Sequence, residues 1–352
     1  MKVALLTIWH EMNYGAELQA YATVKAIKHL GHEVEMIDIR LADCEYRNLK
    51  GRTVTLFSSF GPCQKKFENF WRHNIPVTRR YRTIEELQAD PPKADIYMVG
   101  SDQVWNPAIT GSFAKLYFLN FGEPSIRRVS YASSFGTNKW EYPELTEEIK
   151  GLLERFSVIT CRERSGIEIL NAMFRLHATH VLDPTLLFDE YPEFVGNIKQ
   201  RNTLVYYPLS DDPDLENYSI ALGQRLKMSV INNKAQSYII KPIIWDRVSV
   251  QQWVKNIAEA QFVITRSFHG LVFSLLYRKK FAVLASPNNR GTRIVELLKL
   301  LGLSDRFYNS LIDLDNASPW AKEIDYTIVE NTIGKYREES WKILQQMLTT
   351  NV

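Results

Sequence analysis

Short apolar segments alternate with amphipathic helical stretches along most of the chain. Residues 3–9 form an apolar run that predicts a buried strand, residues 20–30 carry apolar side chains at helical spacing, and residues 34–39 predict the next strand. This strand–helix–strand order is typical of a parallel sheet, in which ligands bind at the carboxyl ends of the strands.

Two such series follow one another, separated by a polar stretch at residues 189–202. In the first series, further strands are predicted at 96–100, 128–134, 157–162 and 180–183, with helices at 145–155 and 166–172 and a helical excursion at 43–92. In the second series, strands are predicted at 203–208, 228–232, 238–242, 261–265 and 281–285, with helices near 213–226, 249–260, 269–278, 293–301 and 333–348. The pattern predicts an α/β protein with two Rossmann-like domains facing a cleft, at residues 1–192 and 193–352, with the last helix able to pack back on the first domain.

Composition narrows the class of protein. The 352 residues are 45% hydrophobic and 24% charged, as in globular proteins, and the net charge of +3 is too small to indicate a nucleic-acid partner. Three widely separated cysteines predict neither a disulfide framework nor a zinc site.

The first apolar run is too short for a signal peptide, and no run reaches the roughly 18 apolar residues of a membrane span. We therefore expect a cytoplasmic protein.

No metal site is predicted. His177 and His180 have a spacing that could bind a metal, but no cysteine or matched acidic residue stands beside them.

The segment at residues 265–270 follows an apolar strand and opens a helix. His269 falls in the first helical turn, where the orphan backbone N–H groups and the positive end of the helix dipole lie. Ser267 is suited to the N-cap position. A histidine at such an edge can transfer a proton during catalysis. The alternative is a structural histidine that hydrogen-bonds a neighbouring loop.

Tyr14, Gly15 and Glu17 follow the first predicted strand. Gly15 allows a ligand to approach the backbone closely, and the N–H groups that follow it can receive an anion. The alternative is a tight strand–helix turn without a ligand.

Ser101, Asp102, Gln103 and Trp105 follow the strand predicted at residues 96–100. Polar groups beside an indole suit a sugar, because its hydroxyls need hydrogen-bond partners and its C–H face stacks on aromatic rings. The alternative is a helix cap with Trp105 packed beneath it.

Arginines near strand ends and helix starts are candidate anion ligands. Arg162 closes the strand at 157–162, where a guanidinium can hold a phosphate or carboxylate bidentately. The alternative to anion binding by Arg162 is an ion pair with Glu163 or Asp183. Arg290 and Arg293 flank the start of a helix, where the alternative is solvated surface charge.

Six short segments, in this order along the chain, resemble motifs of the polysaccharide pyruvyl transferase family. They are NYGAELQAYA at 13–22, GSDQVWN at 100–106, YASSFG at 131–136, RE at 162–163, LDPT at 182–185 and SFHG at 267–270. The resemblance implies a fold similar to the two-domain GT-B glycosyltransferases, with the acceptor on the N-terminal domain and the donor on the C-terminal domain.

The resemblance also implies a reaction. An enolpyruvyl-derived group would pass from phosphoenolpyruvate (PEP) to two hydroxyls of one sugar, forming a cyclic pyruvate ketal on a capsule or exopolysaccharide or on its lipid-linked precursor. PEP would be a substrate, and no cofactor is implied. The basic runs at 79–82 and 278–280 are usually solvated faces, but they could contact an undecaprenyl-pyrophosphate-linked acceptor at the inner face of the membrane.

By resemblance, His269 would be the acid/base residue and Arg162 a ligand of the donor's carboxylate or phosphate. The other candidates for donor binding are Ser267, Phe268, Gly270, Arg266, Arg290 and Arg293. The candidates for acceptor binding are Tyr14, Gly15, Glu17, Ser101, Asp102, Gln103 and Trp105.

The chain departs from the family pattern before the histidine. Some members carry an arginine two residues before it, where this chain has Ser267, and Arg266 stands one position earlier. A one-residue shift along a strand points a side chain to the opposite face, so Arg266 is expected to miss the donor unless the strand has already ended. Arg290 or Arg293 could take its place.

Two other functions are compatible with the sequence. A glycosyltransferase that uses a nucleotide sugar could share the same architecture, because one fold hosts many chemistries. A catalytically idle, glycan-binding member of the family is the second. Binding of PEP, of a nucleotide sugar or of neither distinguishes the three.

Overall fold

The computed structural model describes residues 1–9, 12–40, 62–234, 237–240, 244–286 and 291–349. These residues form two compact units. The first unit comprises the described residues of Met1–Leu56, Glu68–Leu187 and Lys335–Val352, and the second those of Phe57–Phe67 and Phe188–Gly334.

The first unit is built on a seven-stranded parallel sheet in the order β3-β2-β1-β4-β5-β6-β7. Its strands are β1 (Lys2–Leu6), β2 (Glu33–Ile39), β3 (Val77–Tyr81), β4 (Ile96–Val99), β5 (Arg127–Ser133), β6 (Phe156–Cys161) and β7 (Thr179–His180). Val3 lies opposite Val34 on one side and Ile96 on the other. Because every pair is parallel, the carboxyl ends of these strands meet at one edge of the sheet.

The second unit contains a five-stranded parallel sheet in the order β14-β13-β12-β8-β9 and a separate antiparallel pair, β10-β11. Its strands are β8 (Thr203–Tyr207), β9 (Ser229–Asn232), β10 (Ser237–Ile240), β11 (Ile244–Asp246), β12 (Phe262–Thr265), β13 (Lys280–Leu284) and β14 (Phe307–Tyr308). Phe262 pairs with Leu204 on one side and Lys280 on the other. The two parallel sheets confirm the predicted α/β class.

Helices connect the strands. They are α1 (Tyr14–His29), α2 (Pro62–Asn74), α3 (Ile84–Ala89), α4 (Pro107–Thr110), α5 (Thr146–Leu153), α6 (Arg164–Ile169), α7 (Pro192–Val195), α8 (Pro213–Leu226), α9 (Val250–Glu259), α10 (Phe268–Leu276), α11 (Thr292–Leu300), α12 (Leu311–Ala317) and α13 (Tyr326–Thr349). Side-chain caps fix the first residues of several helices. Asp212 Oδ1 accepts a hydrogen bond from Leu215 N at 3.1 Å, and Ser249 Oγ accepts one from Gln252 N at 3.1 Å.

The central strands are apolar on both faces. All four residues of β4 are buried, as are Val3, Ala4, Leu5 and Leu6 of β1. A parallel sheet covered by helices on both sides produces this pattern, and it explains why these strands stand out in the sequence as continuous apolar runs. Among the described residues, no helix is both long enough and apolar enough to cross a membrane.

Two predicted elements need correction. The excursion predicted as helical at 43–92 contains helices α2 and α3 but also the edge strand β3, of which only Tyr81 is buried; residues 41–61 lie outside the described part. The strand predicted at 238–242 does not join the second sheet. It pairs as β10 with β11, its neighbour in sequence.

Candidate active site

The carboxyl edge of the first sheet carries a buried polar cluster. Ser101 lies just beyond β4, Ser134 just beyond β5, and Arg162 and Glu163 just beyond β6. Asp183 follows β7 three residues after its end. The parallel topology brings these five side chains together from positions far apart in the sequence.

Arg162 lies at the centre of this cluster. Its side chain is 2% exposed, its Nη1 lies 2.7 Å from Asp183 Oδ2, and its Nε lies 2.9 Å from Glu163 Oε1. Its Nη2 lies 3.7 Å from Asp102 Oδ1. Burial lowers the pKa of this guanidinium, but the three carboxylates outweigh burial and raise it above its ordinary value. Arg162 therefore forms the ion pairs that were the alternative to anion binding.

Hydroxyl groups complete the cluster. Ser101 Oγ donates to Asp183 Oδ2 at 3.0 Å, and Ser134 Oγ donates to Glu163 Oε1 at 2.9 Å. Asp183 Oδ1 accepts from both Thr185 N, at 3.0 Å, and Thr185 Oγ1, at 2.5 Å. Since three carboxylates surround one guanidinium, the cluster carries an excess of negative charge, which suits hydroxyl ligands better than anions.

Asp102 and Gln103 form the more accessible side of the cluster. The Asp102 side chain is 15% exposed, and its backbone φ is 75°, a left-handed conformation that aspartate tolerates better than most residues. Its Oδ1 accepts a hydrogen bond from Gln103 N at 2.9 Å. A Cβ on Gly136 would lie 2.1 Å from Gln103 Oε1, so the glycine at 136 leaves the space that the Gln103 side chain occupies.

The other predicted acceptor residues are packed inside the first unit. Trp105 is fully buried, donates from Nε1 to Tyr117 O at 3.1 Å and stacks on Phe118. Its indole therefore offers no open face to a sugar, and its prediction as an acceptor residue is corrected.

The predicted anion site at the start of α1 is corrected as well. Tyr14, Gly15 and Glu17 are buried. Gly15 N donates to Asn13 Oδ1 at 3.0 Å, and Glu17 N donates to Asn13 O at 3.0 Å. Glu17 also accepts a hydrogen bond from Trp71 Nε1. These N–H groups are therefore used at the start of α1 itself. This agrees with the alternative interpretation of the segment as a tight strand–helix turn without a ligand.

In the second unit, α10 begins directly beyond β12. Ser267 is the N-cap, and its Oγ accepts a hydrogen bond from Gly270 N at 3.3 Å. His269 is the second residue of the helix, is 5% exposed, and packs edge-to-face on Phe268 with ring centroids 5.3 Å apart. The strand end and the cap thus fix the imidazole at the carboxyl edge of the second sheet.

The arginines of the second unit differ in their surroundings. The Arg293 guanidinium lies over the Phe268 ring, 5.6 Å from its centroid, so the first turns of α10 and α11 come together at Phe268. Arg266 Nε lies 2.7 Å from Asp212 Oδ2, and its Nη1 donates to Ala285 O. Arg266 stands one residue past the end of β12, so strand register does not decide where its side chain points, and its guanidinium is engaged by Asp212 and by the Ala285 carbonyl. Arg290 lies outside the described residues.

Gly270 has a packing role. We expect Gly270→Ala to lower the free energy of unfolding by about 1–3 kcal/mol, as overpacking does. The added Cβ would lie 2.2 Å from Thr265 Oγ1 and 2.9 Å from Thr265 Cβ. Gly151→Ala in α5 is the matched control, since nothing lies within 4 Å of its added Cβ. It should raise stability by about 0.5–1 kcal/mol. Urea denaturation measures both, and equal effects would contradict the proposed close packing.

Within the described residues, no group of three or more His, Cys, Asp and Glu side chains is arranged to hold a metal ion.

Comparison with known proteins gives a family match and a fold match. The sequence model of a family described as polysaccharide pyruvyl transferase matches residues 13–288, which is most of the chain. No curated protein sequence matches the chain significantly.

Solved structures share the fold at low identity. S. aureus MnaA, in a co-structure with UDP, has a TM-score of 0.55 at 11% identity, covering 100% of this chain and 99% of that chain. The UDP-GlcNAc 2-epimerase of Methanocaldococcus jannaschii has a TM-score of 0.55 at 10% identity, with 98% and 99% covered. The spinosyn rhamnosyltransferase SpnG has a TM-score of 0.50 at 10% identity, with 99% and 100% covered. These matches confirm a GT-B-like fold of two Rossmann-like domains.

Proposed function

Because the chain belongs to the polysaccharide pyruvyl transferase family, we propose that its donor is PEP and that its product is a cyclic pyruvate ketal. The acceptor in this proposal is one sugar of a cell-surface polysaccharide or of its lipid-linked precursor.

The chemistry sets definite requirements. A proton is added to the methylene carbon of PEP, and one sugar hydroxyl attacks the resulting oxocarbenium-like carbon and releases its own proton. The bond from that carbon to the phosphate oxygen then breaks, and phosphate leaves with the bonding electron pair. The second hydroxyl attacks the same carbon, closes the ring and gives up its proton, which the departing phosphate can take. The protein must therefore supply a proton donor, a proton acceptor and positive charge for the departing phosphate.

The position of His269 carries the proposal. It lies in the first turn of a Ser267-capped helix at the carboxyl edge of a parallel sheet, where the helix dipole favours an anion. Arg293 contacts the same Phe268 ring on which His269 packs, and it adds a cation at this end of α10. We assign His269 to proton transfer and Arg293 to the donor phosphate or carboxylate.

The polar cluster of the first unit suits the acceptor. Its excess of carboxylates disfavours a trianionic donor, whereas carboxylates are good partners for sugar hydroxyls. Asp102 has the most exposed of the carboxylates around Arg162, so we assign Asp102 and Gln103 to hydroxyl binding. Arg162 then acts as a positioning residue that orients Asp102.

Donor binding tests this assignment without knowledge of the acceptor. PEP should raise the melting temperature of the protein, and UDP-GlcNAc should not. At about 100 times the dissociation constant, the expected stabilisation is roughly 2.7 kcal/mol. Arg293→Gln should weaken the shift, while Arg72→Gln, an exposed arginine of α2, should leave it unchanged. A shift with UDP-GlcNAc alone would favour a glycosyltransferase, and no shift with either would favour an idle glycan-binding protein.

A further inference from the structure

A concave site lies at the amino edge of the second sheet, the edge opposite to the one that carries His269. Its volume is about 380 Å³, within the usual range of small-molecule sites. It is lined by residues that precede β8 and β12, by the start of β13 and by Tyr326 of α13. These are the amino ends of the strands, whereas His269 follows the carboxyl end of β12. The cavity is therefore distinct from the donor site proposed above.

Most of the charges that line this cavity are compensated. Three of its cationic side chains each lie in an ion pair with a carboxylate. The pairs are Arg201 with Glu259, Arg278 with Glu330, and Lys280 with Glu323. These pairs leave little net charge of their own.

Lys279 also lines the cavity, but its positive charge is not compensated in this way. The residue is only 4% exposed, and its Nζ donates to the neutral Gln200 Oε1 at 2.9 Å. Within the described part of the chain, no carboxylate lies within 4.0 Å of this ammonium group. Burial lowers the pKa of Lys279 to about 8, and the more distant Glu259 only partly opposes this. A buried ammonium without a counter-ion is unfavourable, and a bound anion would remove the penalty.

We propose that this cavity binds a small hydroxylated monocarboxylate of the sugar-acid type, with its carboxylate on Lys279. One uncompensated positive charge matches one carboxylate rather than a dianionic phosphate. Amide side chains at Gln200, Asn202 and Gln261 also line the cavity and can hydrogen-bond hydroxyl groups. The ligand is thus both anionic and hydroxylated.

Calorimetric titration of the full-length protein with glucuronate at pH 7 tests the proposal. We expect saturable binding to the wild type and to Lys299→Met, an exposed lysine of α11, and at least tenfold weaker binding to Lys279→Met. Glucose and inorganic phosphate should bind more weakly than glucuronate. Absence of binding to the wild type, equal binding to both variants, or equal binding of glucose or phosphate would overturn the proposal.

The His269→Ala variant separates this cavity from the donor site. It should bind glucuronate with unchanged affinity, and a loss of binding would place the ligand at His269 instead.

The charge-preserving variant Lys279→Arg keeps the proposal testable if Lys279→Met does not fold. Glucuronate binding to the wild type should weaken as the pH rises from 7 to 9.5, because the Lys279 ammonium loses its proton near pH 8. The variant leaves unchanged the other charged or titratable groups that line the cavity, which are Arg201, Arg278, Lys280, Glu323 and Tyr326. It also leaves unchanged Glu259 and Glu330, the ion-pair partners of Arg201 and Arg278. An arginine stays protonated over this range, so the variant should lack that weakening. Identical pH profiles would contradict the role of Lys279.

Discussion

Replacement of His269 by alanine is expected to lower the turnover of PEP by about 10²–10⁴-fold, the usual contribution of a positioned proton-transfer group. The imidazole lies in the first turn of α10, held by the Ser267 cap and by Phe268, and alanine removes the proton donor while keeping the helix. Phosphate release from PEP measures the effect, in the presence of the oligosaccharide that supports wild-type turnover.

The matched control is His177→Ala, since His177 is an exposed histidine of the first unit. Its turnover should equal that of the wild type. The melting temperature of both variants shows whether they fold normally. Wild-type turnover in a folded His269→Ala variant would exclude His269 from proton transfer.

Asp183→Asn is expected to lower the free energy of unfolding by about 3–5 kcal/mol, the range for breaking a buried ion pair. The Asp183 side chain is fully buried and accepts hydrogen bonds from Arg162, Ser101 and Thr185. Asparagine keeps the shape but removes the charge that compensates Arg162, and its amide turns a donor toward groups that are themselves donors.

Asp315→Asn provides the comparison for Asp183→Asn. Asp315 pairs with Arg225, but their side chains are 40% and 51% exposed, so we expect a loss of at most about 1 kcal/mol. Urea denaturation of both variants gives the two values. A loss at Asp183 no larger than that at Asp315 would show that the cluster around Arg162 contributes little to stability.

The sequence predicted the parallel strands well where they are buried on both faces. β1, β4 and β12 are continuous apolar runs, and that pattern follows directly from burial under helices on both sides. The edge strand β3 has the sequence VTRRY and exposes most of its side chains, so its polar composition concealed it. β11 was missed because its three residues are too few to show a period.

The candidate site was predicted in part. Strand-to-helix transitions in the sequence led to His269 and to Ser267 as its cap, because both depend on local structure. The environment of Arg162 could not be predicted in full, since its partners come from positions 102, 163 and 183 and only the sheet brings them together. Trp105 was misplaced because a core indole and a sugar-stacking indole look alike in sequence.

The burial of Lys279 could not be predicted from the sequence either. It belongs to the basic run at 278–280, which composition alone assigns to a solvated face. The structure separates the three residues: Arg278 and Lys280 form ion pairs, whereas Lys279 is buried beside Gln200. Burial of one residue in a charged run is set by the turn between α10 and β13, where Arg278 has a φ of 54°.

In the proposed reaction, the protein builds a pyruvate ketal from PEP. The most direct measurement is nuclear magnetic resonance of the product formed by the wild type from PEP labelled with ¹³C at its methylene carbon and the acceptor oligosaccharide. We expect the labelled carbon to become a methyl group on a ketal, with one phosphate released for each ketal formed. A label that stays a methylene in an enolpyruvyl ether, or sugar transfer from a nucleotide sugar with PEP unconsumed, would contradict ketal formation from PEP.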